Sequence, residues 1–207
     1  MATKLSMDDM VTNIISIWKL STPQEKRDGI VWYLDAHKEC QQMAIDYDMP
    51  VHICAGVVAA LSPNNKWDIN IRNARDMLAA YLNGDDIDSF KVSTYHKMKQ
   101  KAWGILEAMP DYDTVKVLLS GKKITCFYEN IMGEDTCTID GHARNIAYAE
   151  RVNLTDAKTS IGVKEYAELQ EAYLEATKRL RYQNKRPKSY ELQAVTWVAW
   201  RRMHGIK

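Results

Sequence analysis

Residues 51–61 read VHICAGVVAAL, eleven residues in which His52 is the single polar side chain. A helix that is apolar on every side has no face to offer water, so other elements must wrap it. The segment is about half the roughly 20 residues a membrane-spanning helix needs, and no other apolar run in the chain approaches that length. The remaining sequence must therefore supply amphipathic partners. It does so at helical spacing: apolar residues recur at steps of three and four, and alternating strand patterns are nearly absent. The expected fold class is all-α.

Helices are expected over residues 8–20, from Thr22-Pro23 to Met49-Pro50, over 51–61, and from Trp67 to Tyr81. Further helices are expected over 94–108, from the turn at Ser120-Gly121 through Ile131, and over 141–149, 164–182 and 188–204. Asp8 and Asp9 suit the first turn of the first helix, where the dipole favours acids. Ile30, Tyr33, Leu34 and His37 form a candidate core stripe on the second. Trp67, Ile71, Ala74, Leu78 and Tyr81 form one on the fourth, and Leu192, Val195 and Ala199 one on the last. Val115 to Leu119 reads as a short apolar segment, Thr136 to Ile139 as extended, and Asn184 to Pro187 as a basic linker.

Hydrophobic residues make up 46% and charged residues 27% of the 207, ordinary values that exclude disorder as the overall state. The four cysteines, Cys40, Cys54, Cys126 and Cys137, contain no CxxC pair, so reduced thiols in a cytoplasm are expected, with no metal site and no cofactor. MATKLSMDDM lacks the apolar core of a signal peptide. Net charge is only +1, but two stretches are basic throughout: Lys91 to Lys101, with Lys97 and Lys99, and Lys178 to Lys188, with Arg179 and Arg186. Either could neutralise a phosphate backbone, and either could be a solvated helix face.

Chemistry concentrates in residues 118–147, LLSGKKITCFYENIMGEDTCTIDGHARNIA. A tight turn at Ser120-Gly121 leads into a helix opening on Lys122 and Lys123, and Thr-Ile-Asp-Gly-His follows at the next helix start. Taken singly, each residue also has a plainer role. Asp140 suits an N-cap and Lys123 a solvent-facing position. His142 and Arg144 suit structural polar groups, and Asn64 and Asn65 suit any loop. In order and spacing, however, the segment resembles the signature of helix–hairpin–helix DNA glycosylases of the endonuclease III and 8-oxoguanine glycosylase type. Gly121-Lys122-Lys123 is similar to that family's Gly-x-Lys. Ile139-Asp140-Gly141-His142 is similar to its Val-Asp-x-His, 17 residues after Lys123. Upstream, LSPNNKW (residues 61–67) resembles the family's Leu-Ser-x-Gln segment. With the C-terminal ELQAVTWVAWRR (residues 191–202), the chain looks like a divergent branch found in small phage proteins, which would place it in a host cytoplasm.

The resemblance implies a two-lobed helical fold, with residues 51–150 as the central lobe and 1–50 packing with 151–207 as the second. It implies a DNA N-glycosylase, with lyase activity, acting on a flipped-out base. Lys123 would be the nucleophile, with Lys122 as the fallback, and Asp140 the carboxylate that offsets charge on the sugar; the two would line one cleft. Asn64 would enter the base stack. Asn65, Ser120, Gly121, His142, Arg144, Lys97, Lys99, Lys101 and Arg186 would serve DNA binding, weak and salt-dependent at this net charge. The aromatics of the C-terminal helix are most simply core, and Gln193 or Trp197 facing the site is the sharper reading. The hairpin, Leu119-Ser120-Gly121, is shorter than the family's and has one glycine. Two other functions therefore stay open: a nucleotide- or base-modifying enzyme on the same scaffold, and a catalytically silent member that binds nucleic acid or a protein partner. No membrane association is expected.

Overall fold

The computed structural model describes residues 5–153 and 160–206. Ten α-helices account for most of them: α1 (Met7–Leu20), α2 (Pro23–Asp46), α3 (Val51–Leu61), α4 (Trp67–Leu82), α5 (His96–Ala108), α6 (Tyr112–Leu119), α7 (Lys122–Ile131), α8 (Gly141–Tyr148), α9 (Val163–Lys178) and α10 (Ser189–Met203). Among the described residues there is no strand, only an isolated bridge between Tyr182 and Lys185. The protein is all-α. No single helix is long and apolar enough to cross a membrane.

The chain divides into two compact units, Leu34–Glu134 and the two ends together, Met1–Tyr33 with Asp135–Lys207. The boundaries expected from sequence are 50/51 and 150/151. Helix α2 is shared, with Pro23–Tyr33 in the terminal unit and the rest in the other.

Within the 34–134 unit, every residue of α3 from Ile53 to Leu61 is buried. Helices α4, α5, α6 and α7 all pack on it. Gly56 permits the approach of α6, since a Cβ there would lie 2.8 Å from Cγ1 of Val115. A helix so enclosed needs its polar backbone satisfied from within, and the buried Asn70 amide of α4 donates to the Val58 carbonyl at 3.0 Å. Val115 to Leu119, which reads in sequence as merely apolar, is the end of helix α6. Asp111 starts it as the N-cap, its carboxylate accepting from the Thr114 N–H at 2.8 Å.

In the terminal unit, α1 packs on α8, α9 and α10. A reciprocal Ser6–Asp9 capping box opens α1, and Met10, Val11, Ile14, Ile17 and Trp18 are buried. The inward residues of α10, Leu192, Val195 and Ala199, are buried as the spacing predicts. The α2 stripe is displaced from its expected line. Tyr33 is buried but Leu34 is 53% exposed, and the buried line runs through Glu25, Gly29, Tyr33, Ala36, Cys40 and Met43. A glycine and a glutamate on that line hide it from a hydrophobicity count. The α4 stripe is rotated in the same way, with Asn70, Asn73 and Met77 buried and Trp67 and Tyr81 only partly so.

Gly29 lies on that line because α10 leaves it no room. A Cβ there would sit 2.5–2.7 Å from Val195, backbone atoms included. Helix propensity alone makes Gly→Ala favourable by about 1 kcal/mol. At Gly29 the clash wins, and Gly29→Ala is expected to destabilise by about 2 kcal/mol. Gly104 in α5 meets nothing within 4 Å, so Gly104→Ala should raise stability by about 0.5–1 kcal/mol. Urea unfolding of the two variants, with opposite shifts in midpoint, checks both.

Glu25 begins the same line. Burial raises its pKa, yet Arg202 (2.6 Å), the Thr22 N–H (2.7 Å) and the Thr22 hydroxyl together hold it below the ordinary 4.5. A carboxyl depressed in the folded state contributes stability above its unfolded pKa, and that contribution fades as pH falls through the folded value. Glu25→Gln should therefore lower stability near neutral pH by roughly 1 kcal/mol, and the difference should shrink as pH falls below the ordinary 4.5. Thermal melts across pH 3–7 read the convergence.

Candidate functional site

The hairpin begins where α6 ends. Ser120 takes the left-handed conformation, φ 54°, a region that favours glycine, and Gly121, at φ −108°, does not need its own freedom. The turn is held from α5. The half-buried Lys101 ammonium donates to the Leu119 carbonyl and, at 2.7 Å, to the Ser120 hydroxyl. Burial, then the nearby charge of Lys97, lowers the Lys101 pKa from its ordinary value. Behind the turn, Tyr128 of α7 is fully buried and stacks on Tyr112 of α6 at 5.1 Å, and the Tyr112 hydroxyl donates to Glu134. Lys116 bridges Asp113, Glu129 and Glu134, tying α6 to the helix that follows.

Gly121 caps α7 without a side-chain bond, and the first turn of α7 contains no acid. Lys122 and Lys123, the two nucleophile candidates, occupy that turn with exposed side chains. In the same unit, Asn64 lies at the tip of the α3–α4 loop, exposed and left-handed at φ 54°. The loop is braced by Thr94, whose hydroxyl donates to the Pro63 carbonyl at 2.6 Å. Asn65 turns inward, donating to the Leu61 carbonyl and to Asn73. Edge-on contact between Trp67 of α4 and Phe127 of α7 (6.5 Å) joins this loop's helix to the hairpin's.

Of the basic residues expected to make phosphate contacts, Lys97 is exposed. Lys99 requires correction. It is 6% exposed, its ammonium donates to the Phe90 carbonyl, and it lies 4.4 Å from the centre of the Phe90 ring. Helical phase turns it to the core side while Lys97 stays outside. Arg186 directs two nitrogens at the Thr177 hydroxyl, at 2.8 and 3.0 Å, although the residue as a whole is exposed. Its neighbours fold as a tight turn, Tyr182 to Lys185, with Gln183 and Asn184 both left-handed. The basic stretch is therefore ordered at that point.

Asp140 belongs to the terminal unit. It is the N-cap of α8: Oδ1 accepts from the Ala143 N–H at 2.8 Å, and Oδ2 accepts from the indole N–H of Trp197 at 3.1 Å. His142 is buried with its ring edge-on to Trp197 at 6.1 Å, and the Arg201 guanidinium lies 4.3 Å from the centre of the Trp197 ring. Arg144 is engaged locally, bonding Glu165 at 2.9 Å, reaching Glu150 at 3.9 Å and lying over Tyr148. Gln193 is buried and accepts from Tyr33 at 3.5 Å. The structure thus gathers Ser120, Gly121, Lys122, Lys123 and Lys101 around one hairpin. It separately gathers Asp140, His142, Trp197 and Arg201 around the start of α8. Arg201 is an addition to the residues the sequence singles out; its only signal there is the four-residue spacing from Trp197. Among the described residues, no three His, Cys, Asp or Glu side chains cluster as a metal would require.

The Lys101 clamp yields a test. Lys101→Met should cost about 1 kcal/mol in stability and raise amide exchange at Ser120 to Lys123 more than in α3. Exchange that rises uniformly would show that the ammonium does not hold the turn.

No match was found among curated proteins or among solved structures. A family model matches residues 1–204, and the chain belongs to the family described as "Family of unknown function (DUF7178)".

Proposed function

We propose that the chain is a DNA N-glycosylase with lyase activity, of the helix–hairpin–helix type and two-lobed like that family, acting on a base turned out of the stack. One observation carries the reading. The segment with the glycosylase-like spacing falls on a helix, a tight turn and a second helix opening on Lys122-Lys123, and Asp140 caps the next helix 17 residues after Lys123. In this reading the Lys123 amine, once deprotonated, attacks the sugar C1′ and the base departs with the glycosidic electron pair. The resulting Schiff base permits strand cleavage. Asp140 offsets the positive charge that builds on the sugar as the glycosidic bond breaks. Asn64, exposed at its loop tip, is the candidate to fill the vacated stack. The chemistry calls for no cofactor or metal.

A second reading has its own support. The 34–134 unit holds eleven Lys and Arg against fourteen Asp and Glu, and the ammonium groups of Lys99 and Lys101 are engaged by internal carbonyls. Weak duplex affinity of this kind suits an enzyme that modifies a nucleotide or base precursor, or a silent binding member, more than a repair enzyme that scans DNA.

Borohydride trapping on abasic-site and damaged-base oligonucleotides tests the proposal. Wild type should give a covalent adduct, Lys123→Gln none on either substrate, and Asp140→Asn a loss mainly on the intact base, since an abasic site has no glycosidic bond left to break. No adduct from folded wild type on any substrate would move the assignment to the second reading.

A further inference from the structure

The N-cap role of Asp140 occupies one carboxylate oxygen, at Ala143. A cap of this kind fixes where the carboxylate sits but leaves it able to turn about its own axis. The second bond, from Trp197, is not required by the cap. It reaches across 57 residues of sequence from α10, and the donor ring is itself flanked, by the Arg201 guanidinium over it and by His142 in a T-shaped contact. The Nε of Arg201 is buried and makes no hydrogen bond among the described residues, and the guanidinium carbon lies 4.3 Å from the centre of the Trp197 ring. Two donors on two oxygens define the plane of the carboxylate.

We propose that Trp197 is a positioning residue for Asp140: its indole N–H fixes the carboxylate plane, with Arg201 and His142 holding the indole. The catalytic part of this inference rests on the glycosylase reading, in which Asp140 faces the sugar cation. The C-terminal helix then acts on the proposed reaction through Asp140. Trp197→Phe keeps an aromatic ring there and removes the donor.

Two measurements test it. First, the Trp197 indole proton, assigned in 15N-labelled protein by its loss in Trp197→Phe, should move upfield in Asp140→Asn, where a neutral amide replaces the charged acceptor. An unmoved indole resonance overturns the proposal whatever the enzyme does. Secondly, Trp197→Phe should lower kcat for base release by about tenfold with KM within about twofold, and should have no further effect in an Asp140→Asn background. Equal losses in both backgrounds would mean that Trp197 serves packing alone, which also overturns it. If wild type releases no base from any substrate, the glycosylase reading falls. The indole response would then decide by itself whether Trp197 holds the carboxylate.

Discussion

Helix α3 is the constraint on which the 34–134 unit depends. Nine consecutive residues, Ile53 to Leu61, are buried, and burial of each apolar side chain is favourable by about 1.5–3 kcal/mol for the larger ones. Four helices are needed to cover a rod with no wet face. Their lengths and turns follow from that need. Helix α6 is only eight residues, and the hairpin at Ser120-Gly121 returns the chain at once as α7. The hairpin that carries the candidate chemistry is thus a consequence of wrapping α3. Its fine geometry is set separately, by the Lys101 ammonium on the Leu119 carbonyl and the Ser120 hydroxyl.

The fold class is legible in the sequence because a 3.6-residue period survives almost any disturbance of individual residues. Helix ends are legible where a cap announces them, as at Asp140. They are missed where the cap lies outside the apolar run, as at Asp111 of α6. The face of a helix is harder to read than its existence. Along α2 the buried line includes Glu25 and Gly29, one neutralised by Arg202 and the other demanded by Val195. Both reasons lie in α10, more than 150 residues away, and no local count reveals them. Leu34, the more hydrophobic neighbour, faces out.

The candidate site is legible as residue types and spacing, and much less so as interactions. Lysines in particular mislead when counted. Lys97 and Lys99 are two residues apart, yet one is exposed and the other is sealed over Phe90. Lys178 and Arg179 direct their charges at Glu175 and Asp8 of their own unit. Charge that is already paired inside the protein contributes little to a phosphate backbone, so the stretches that read as basic in sequence are weaker electrostatically than their composition. The Trp197–Asp140 bond escapes the sequence for the complementary reason, since neither residue type nor spacing encodes a contact 57 positions apart.

What remains distinctive is where this sequence works against helix physics. The helix macrodipole favours acids in a first turn and disfavours cations there. Helices α1, α2, α4, α6, α9 and α10 obey, with Asp8 and Asp9, Glu25, Asp68, Asp113, Glu165 and Glu191. Helices α5 and α7 do the opposite. Each lacks a side-chain cap and an acid in its first turn, and each opens on basic residues: His96, Lys97 and Lys99 in one, Lys122 and Lys123 in the other. Both lie in the 34–134 unit and are linked through Lys101 at the hairpin. A helix start that concentrates positive charge costs stability, and an arriving anion relieves that cost. Local choices that oppose the fold while serving a ligand are where function is expected in a sequence otherwise consistent with its structure. The two basic helix starts are where this sequence departs furthest from the pattern its other helices follow.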